Sequence, residues 1–356
     1  MHPSFPCLAA LLVLTAGCRH TNAPPPRPVP TLPASHGHLS LSLALYLDPS
    51  MRLPGLDTSI PTAETVVEPA QAPAVFAEAR QVLAEWPTQE QVRAAWVDLG
   101  AACEAPLKEA CDFLREQFTR PVRLEGEDPP ASREAIASGR VAMSILRCRL
   151  GIDGRLRACE VLERAPHGYT ETLLEALPGM RYQPARLAGH PVEISYTFTS
   201  RIAPPGMELS PEQELRWARQ RTEHFPQSPY AWAALAQQLA LQAPEDPGYP
   251  SALRHLNALA PRDWWSANEL AWLHARAGRY SEAEHFAKRA REGAPRNAYV
   301  LETSAATQAG LGACAAAVAD QRTAVELLPA EWPVAERERF QHTLREYSRR
   351  CPADGR

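Results

Sequence analysis

The chain has 356 residues and a formal net charge of −4, and 22% of its residues are charged. It is long enough for two or three domains, and it has no excess of basic residues that would attract nucleic acid. We therefore expect no nucleic-acid partner.

The N-terminal segment has the pattern of an export signal. An apolar run from Leu8 to Leu14 has the length of a signal-peptide core and is too short to cross a bilayer as a permanent helix. The residues Leu-Thr-Ala-Gly-Cys, ending at Cys18, resemble a bacterial lipoprotein signal. The resemblance implies that residues 1–17 are removed and that the Cys18 thiol is lipidated. The alternative is an ordinary secretory signal with a cysteine by chance, and both interpretations predict export.

Residues 18–38 form a predicted tether between the lipid anchor and the first folded region. Six prolines fall between Ala23 and Pro33, and such a stretch is extended and stiff. The lipoprotein resemblance implies a periplasm-facing protein. Arg19 stands where an aspartate retains some lipoproteins at the inner membrane, so the outer membrane is favoured.

Residues 39–125 are predicted to be mainly helical, because apolar residues recur at three- and four-residue spacing. The helices expected here are Val75–Trp86, Gln89–Leu99 and Pro106–Phe118. Trp86 and Trp96 could form a ligand platform, but large aromatic residues at helical spacing are more often core. The prolines at 129 and 130 mark the boundary with the next region.

Residues 133–203 have the pattern of a small sheet with one helix, and the alternating apolar residues from Val192 to Phe198 predict its last strand. Val141–Leu150 and Leu156–Leu162 read as two strands joined by a two-residue turn at Asp153-Gly154. Tyr169–Leu177 reads as a helix, because its leucines have helical spacing and Pro178-Gly179 follows. Short strands then complete the order β-β-α-β-β.

This region resembles the C-terminal domain of the TonB family of periplasmic proteins over about 65 residues. The resemblance rests on the Asp153-Gly154 turn, an Arg-Tyr-Gln-Pro-Ala segment, a Gly-His-Pro-Val turn and a closing Tyr-Thr-Phe strand. The matching residues in the middle two motifs include Tyr182, Pro184, Ala185, Gly189 and Pro191. The family implies a non-catalytic binding module, which in its best-known members pairs with a segment of an outer-membrane receptor and transmits force.

Residues 207–352 have an internal period of 34 residues. The matching pairs are Gly278 and Gly312, Ala283 and Ala317, Ala290 and Ala324, and Pro295 and Pro329. This pattern resembles the tetratricopeptide repeat, whose paired helices need small residues where they cross. An earlier copy, Tyr230–Pro261, is degraded, and Val334–Arg350 is expected to close the stack.

The repeat resemblance implies a concave surface that binds a peptide or another protein. The alternative is that the stack only packs on the sheet region. Trp264, Trp265 and Trp272 are the candidates for an aromatic binding surface, although Trp272 is expected in the interior.

Six cysteines remain besides Cys7 in the signal and Cys18 at the lipid site, and an even number is typical of an oxidising compartment. A two-residue turn at 153–154 places Cys148 opposite Cys159 and Arg147 opposite Glu160, although a bulge would shift this register. The predicted disulfides are Cys148–Cys159 and, by elimination, Cys103–Cys111 and Cys314–Cys351. Zinc binding is the alternative, but no Cys-x-x-Cys spacing supports it.

The sequence contains no catalytic or cofactor-binding motif that we recognise, so we expect no enzyme activity, cofactor or metal. The overall prediction is an α+β, lipid-anchored envelope protein acting as a protein-binding adaptor. Its expected partners are other envelope proteins or peptides, bound as an extended segment on the sheet edge or in the repeat groove. The alternative is a TonB-type energy transducer for receptor-mediated transport.

Overall fold

A computed structural model of the protein describes residues 67–105, 107–204, 206–330 and 332–350. The described part is α+β: helices and small sheets come first, and the chain from residue 211 onward is helical. The predicted signal peptide, Cys18 and the tether lie outside the described residues.

Three helices begin the described chain: α1 (Ala72–Ala84), α2 (Gln89–Glu104) and α3 (Lys108–Gln117). Helix α2 starts at a capping box, in which the Thr88 side chain accepts from the Gln91 backbone N–H and the Gln91 side chain accepts from the Thr88 backbone N–H. A disulfide between Cys103 and Cys111 joins α2 to α3, with an S–S distance of 2.01 Å, which is compatible with the predicted pairing.

The two tryptophans of this region have opposite environments. Trp96 is buried and stacks on Phe118, with ring centroids 5.2 Å apart, so the expectation that it is core is confirmed. Trp86 is 100% exposed, and the same expectation is wrong for it. The reason is that α1 ends at Ala84, because Pro87 disfavours helical geometry at the residue before it.

Short strands, two helices and a 3₁₀ turn follow in one compact segment. In order they are β1 (Phe118–Thr119), β2 (Val122–Glu125), α4 (Arg133–Ala137), β3 (Ala142–Leu150), β4 (Leu156–Glu163), α5 (Tyr169–Ala176), the turn Leu177–Gly179, β5 (Arg181–Gln183), β6 (Arg186–Leu187), β7 (His190–Pro191) and β8 (Ile194–Ile202). The main sheet is antiparallel with the order β4-β3-β8. Strand β2 pairs with β5, and β1, β6 and β7 form a third small sheet.

The hairpin between β3 and β4 has a longer turn than predicted. Leu150 is opposite Leu156, and the Gly151 N–H donates to the Arg155 carbonyl at 3.0 Å, so three residues form the turn. Gly154 closes it with a φ of +75°, a conformation that glycine adopts without strain. The prediction of a two-residue turn was therefore wrong.

A bulge in β4 restores the register that the two-residue turn implied. Ala158 has a φ of +49°, and the extra residue it introduces brings Glu160 opposite Arg147. The bulged strand also brings Cys159 to Cys148, whose Cα atoms are 4.0 Å apart and whose sulfurs are bonded. This disulfide is compatible with the predicted pairing.

One face of the main sheet packs against the helices around it. Alternate side chains of β3 are buried on this face, including Leu146, Cys148 and Leu150, and Ile194 and Phe198 of β8 join them. Residues of α1, α2, α3 and α5 belong to the same core. The two-residue alternation in the sequence thus decides which face of the sheet is covered.

The remaining described chain consists of helices. They are α6 (Pro211–His224), α7 (Pro229–Gln242), α8 (Gly248–Leu259), α9 (Trp264–Arg276), α10 (Tyr280–Gly293), α11 (Ala298–Gly310), α12 (Cys314–Leu327) and α13 (Val334–Arg350). Helices α7 to α12 form three successive hairpins in this part of the chain, and α13 follows as the predicted closing helix.

The period of 34 residues has a structural cause in these hairpins. Gly278 and Gly312 have φ values of +72° and +80°, the left-handed conformation that ends the first helix of a pair. The matching alanines are fully buried where the helices meet: Ala283, Ala290, Ala317 and Ala324. The core between the hairpins contains Trp264 and Trp265, so these two are not available as binding residues.

A buried ion pair joins the sheet to the helices. The Glu163 carboxylate is at the end of β4 and is 1% exposed, and it accepts two hydrogen bonds from the Arg221 guanidinium at 2.8 and 2.9 Å. The Ser228 hydroxyl donates to the same carboxylate at 2.6 Å. The guanidiniums of Arg221 and Arg201 both lie over the Trp217 ring, 5.2 and 5.4 Å from its centroid.

Replacing Arg221 with methionine should destabilise the protein by about 3 kcal/mol or more, because it leaves the Glu163 carboxylate buried without its charge partner. Urea denaturation followed by tryptophan fluorescence measures the change. Arg157→Met is the control, since Arg157 forms an exposed pair with Asp153 and its loss should change the stability much less than the loss of Arg221. Equal effects of the two substitutions would contradict this role of the buried pair.

Candidate functional site

A pocket of about 360 Å³ opens in the helical region, between α9, α11 and α13. Eight of the residues that line it form pairs separated by one repeat of 34 residues. These pairs are Trp272 and Ala306, Ala275 and Ala309, Arg276 and Gly310, and Tyr280 and Cys314. In three of these pairs a larger residue of one repeat corresponds to a smaller residue of the next, and the fourth pair has alanine in both repeats.

The wall of the pocket is aromatic on one side. The Tyr280 ring lies against the backbone of Gly310, so closely that a Cβ at Gly310 would be 2.2 Å from the ring. Trp272 is half-buried, and its Nε1 is buried with no hydrogen-bond partner in the described chain. The expectation that Trp272 is an interior residue was therefore only partly right, because its side chain also lines the pocket.

The polar groups around the pocket are hydrogen-bond donors and cations. Burial raises the pKa of the Tyr347 hydroxyl to about 12, with a further contribution from the negative charge of Glu302. A tyrosine phenol is protonated at neutral pH even without this shift. Among the described residues, the Tyr347 hydroxyl forms no hydrogen bond. Arg276 is exposed and has no ion-pair partner among those residues, while Arg350 lies 3.6 Å from the Glu346 carboxylate.

A second buried ion pair positions the helix that carries Tyr347 and Arg350. The Arg339 guanidinium on α13 donates to both oxygens of Glu302 on α11, at 2.5 and 2.9 Å. It also donates to Glu336 of its own helix at 2.6 Å. Burial raises the pKa of the Glu302 carboxyl, and the hydrogen bonds from Arg339 oppose that rise. The closing helix is thus held against α11 at the edge of the pocket.

The residues for which the sequence predicted a TonB-like module lie in the sheet segment, distant from this pocket in the chain. Asp153 and Gly154 form the β3–β4 turn, and the Gly154 carbonyl accepts from the Tyr182 N–H at 2.9 Å. A Cβ at Gly154 would be 1.9 Å from the Tyr182 carbonyl oxygen, so this turn requires glycine. Tyr182 and Ala185 are buried. These residues therefore hold the hairpin against β5.

The Gly189 and Pro191 motif forms a separate feature. Gly189 has a φ of +85° in the turn between β6 and β7, and Pro191 is in β7 opposite Arg186. The adjacent His190 side chain is hydrogen-bonded through Nε2 to the carbonyl of Leu83 on α1, at 3.0 Å. Pro184 lies between β5 and β6. The turn thus connects the sheet segment to the N-terminal helices.

Two of the predicted cysteine sites include residues outside the described part of the chain. Cys314 is disulfide-bonded and lines the pocket, but its predicted partner Cys351 lies outside the described residues. Cys18 also lies outside them. Across the described ranges there is no group of three potential metal-ligating side chains.

The sequence could have revealed the pocket if the repeats had been aligned by helix face. Trp272, Ala275 and Arg276 have helical spacing, and their equivalents one repeat later are alanine, alanine and glycine. Tyr347 and Arg350 have no such signal, because α13 begins after the last full repeat.

Comparison with known proteins identifies no family for this chain. No protein-family model matches it, and no curated protein is significantly similar to it. Among solved structures, it is similar to one described as the MamA RS-1 ArsTM double mutant, at 16% identity and a TM-score of 0.31. The match covers 41% of this chain and 89% of that one, and at this TM-score it carries no argument. None of the described helices is long and apolar enough to span a membrane.

Arg339→Met should loosen the closing helix, because it leaves the buried Glu302 carboxylate without its cation, at a cost of about 3 kcal/mol. Compared with the wild type, hydrogen–deuterium exchange should become faster in residues 334–350 of the variant, with smaller changes in the rest of the chain. Arg345→Met is the matched control, since Arg345 is exposed on the same helix. Unchanged exchange in the Arg339→Met protein would show that this ion pair does not position α13.

Proposed function

We propose that this chain is an exported, lipid-anchored envelope protein that acts as a non-catalytic adaptor. It binds other proteins or peptides through its helical repeats and through a small sheet module that resembles the TonB C-terminal domain. The observation that carries the proposal is the pocket between α9, α11 and α13. Its aromatic wall and unpaired donors suit an extended ligand with both apolar and polar groups.

The edges of the main sheet support a second binding surface. Strands β4 and β8 are the outer strands, and within the described ranges each pairs with β3 alone. Unpaired backbone groups on such strands can accept an added strand from a partner. The bulge at Ala158 twists part of β4, so the regular β8 is the better candidate.

Contacts between the sheet and the helices favour an adaptor over a force transducer. The Glu163–Arg221 pair and a hydrogen bond of 2.8 Å between the Thr197 and Tyr230 hydroxyls tie β4 and β8 to α6 and α7. Two binding surfaces fixed to each other in this way can hold two partners at a constant distance. The disulfides Cys103–Cys111 and Cys148–Cys159 support export, because such bonds persist in oxidising compartments.

The adaptor role is tested by filling the pocket. Ala306→Trp introduces the tryptophan that the preceding repeat has at the equivalent position, Trp272. The larger side chain should fill the pocket and block ligand binding. Co-purification of the tagged full-length protein from cell envelopes, measured by quantitative mass spectrometry, should then lose a defined set of partners.

Ala319→Trp is the control, because it makes the same substitution at an exposed alanine of α12. The control should keep the partners that Ala306→Trp loses. An identical set of partners in the wild type and both variants would contradict a binding role for the pocket.

The anchor is tested by Cys18→Ser. If Cys18 is lipidated, the substitution should remove the acyl groups and shift the protein from the outer-membrane fraction, which mass spectrometry and membrane separation would measure. Cys7→Ser, inside the predicted signal, should leave the fractionation unchanged. An uncleaved wild-type chain in the inner membrane would instead favour the transducer.

A further inference from the structure

The outer edge of β8 is a long and regular strand edge. All the residues of Ile194–Ile202 pair with β3, and their register has no shift. Within the described ranges, β3 is the only strand that is hydrogen-bonded to β8. The other outer edge of this sheet, on β4, is interrupted by shifts in its register with β3. A further strand therefore fits better on β8 than on β4.

The sequence of β8 contains none of the usual protections of an exposed edge. Such edges are normally interrupted by proline, lysine or a bulge, or are covered by another part of the chain. β8 has neither proline nor lysine, and its one charged residue, Arg201, is next to its end. Its contacts with Asp128 and Tyr230 are made by side chains, which point to the two faces of the sheet and leave the backbone of the edge unused. We therefore expect another segment to cover this edge.

A matching segment occurs in the sequence after the proline-rich tether. Residues 39–47 read Leu-Ser-Leu-Ser-Leu-Ala-Leu-Tyr-Leu, and they lie outside the described residues. Leucine occupies every odd position, and serine, alanine or tyrosine occupies every even position. This strict alternation is typical of a β-strand with one apolar face and one more polar face. The segment has no charged residue, so pairing with a sheet buries no charge.

The faces of this segment correspond to those of β8. Ile194, Phe198 and Ile202 are buried in the core, whereas Thr199 and Arg201 on the opposite face are exposed. Aligned side chains of neighbouring strands lie on the same face of a sheet. The leucines of the segment thus continue the apolar face, and its serines continue the polar face. β8 has 9 residues, the same length as the segment, so the added strand covers the whole edge.

The intervening chain is long enough for this pairing. Residues 48–66 separate Leu47 from Val67, where the described chain begins. Fully extended, a linker of this length spans roughly 60 Å, which exceeds the diameter of a compact domain. Because the segment is tethered to the sheet, its effective concentration at the edge is on the order of millimolar. A strand of the same chain therefore competes well with a separate partner.

We propose that residues 39–47 form a fourth strand on the outer edge of β8, with their leucines facing the core. The main sheet then has four strands, and its exposed edge is the new strand instead of β8. A partner strand reaches β8 only after it displaces this segment. That consequence rests on the proposed function, in which a partner pairs with β8, whereas the pairing within the chain does not.

The test replaces Tyr46 with a photo-crosslinking amino acid in the purified full-length protein, which is irradiated, digested and analysed by mass spectrometry. Adducts should join position 46 to residues 194–202. A mixture of unlabelled and isotope-labelled protein separates adducts within one chain from adducts between two copies. The proposal would be overturned by adducts only between copies, by adducts only to other elements, or by no adduct.

Substitutions on the two faces of the segment test its orientation. The double variant Leu41→Gln, Leu43→Gln should weaken the pairing, because it places polar side chains where apolar ones are buried. Amide hydrogen exchange in residues 194–202 should then be about tenfold faster than in the wild type, or more. Ser40→Gln, Ser42→Gln is the matched control and should leave this exchange unchanged. Equal exchange in the two double variants would contradict the proposal.

This proposal and the adaptor function fail separately. The adducts and the exchange rates need no partner protein, so they decide the pairing within the chain alone. The adaptor function is decided by whether Ala306→Trp loses envelope partners that Ala319→Trp keeps, and neither substitution is in the sheet.

Discussion

A carboxylate removed from water must be held by donors of the right geometry, and Glu163 at the end of β4 meets this requirement through Arg221 and Ser228. Loss of either partner would leave the other charge buried without compensation, which is strongly destabilising. Glu302 and Arg339 form a second buried ion pair of this kind at the other end of the helical region. The first pair fixes the sheet to the helices, and the second fixes the wall of the pocket.

Small departures from a regular repeat then create the site. A strictly regular stack would place equivalent side chains at each level and leave its grooves evenly filled. Here Trp272 is followed one repeat later by Ala306, and Arg276 is followed by Gly310. The ring of Tyr280 occupies the space above Gly310, where any larger residue would collide with it.

The general plan of the fold could be predicted where local patterns decide it. Glycines in left-handed turns and alanines at helix crossings predicted the hairpins, and alternation of apolar residues predicted β3 and β8. The length of the β3–β4 turn could not be predicted, because the bulge at Ala158 has no sequence signal. The Glu163–Arg221 pair joins residues 58 positions apart, so no local pattern reveals it. The TonB-like module and the lipid anchor stay predictions.

The central claim is that the pocket contacts partner proteins in the cell. The most direct measurement replaces Ala277, an exposed residue next to the pocket residue Arg276, with a photo-crosslinking amino acid in the full-length protein and irradiates living cells. The same amino acid at Arg254, an exposed position on α8, serves as the reference. We predict discrete covalent adducts with envelope proteins from position 277 and none from position 254. Adducts that are absent from both positions, or equal at both, would contradict the claim.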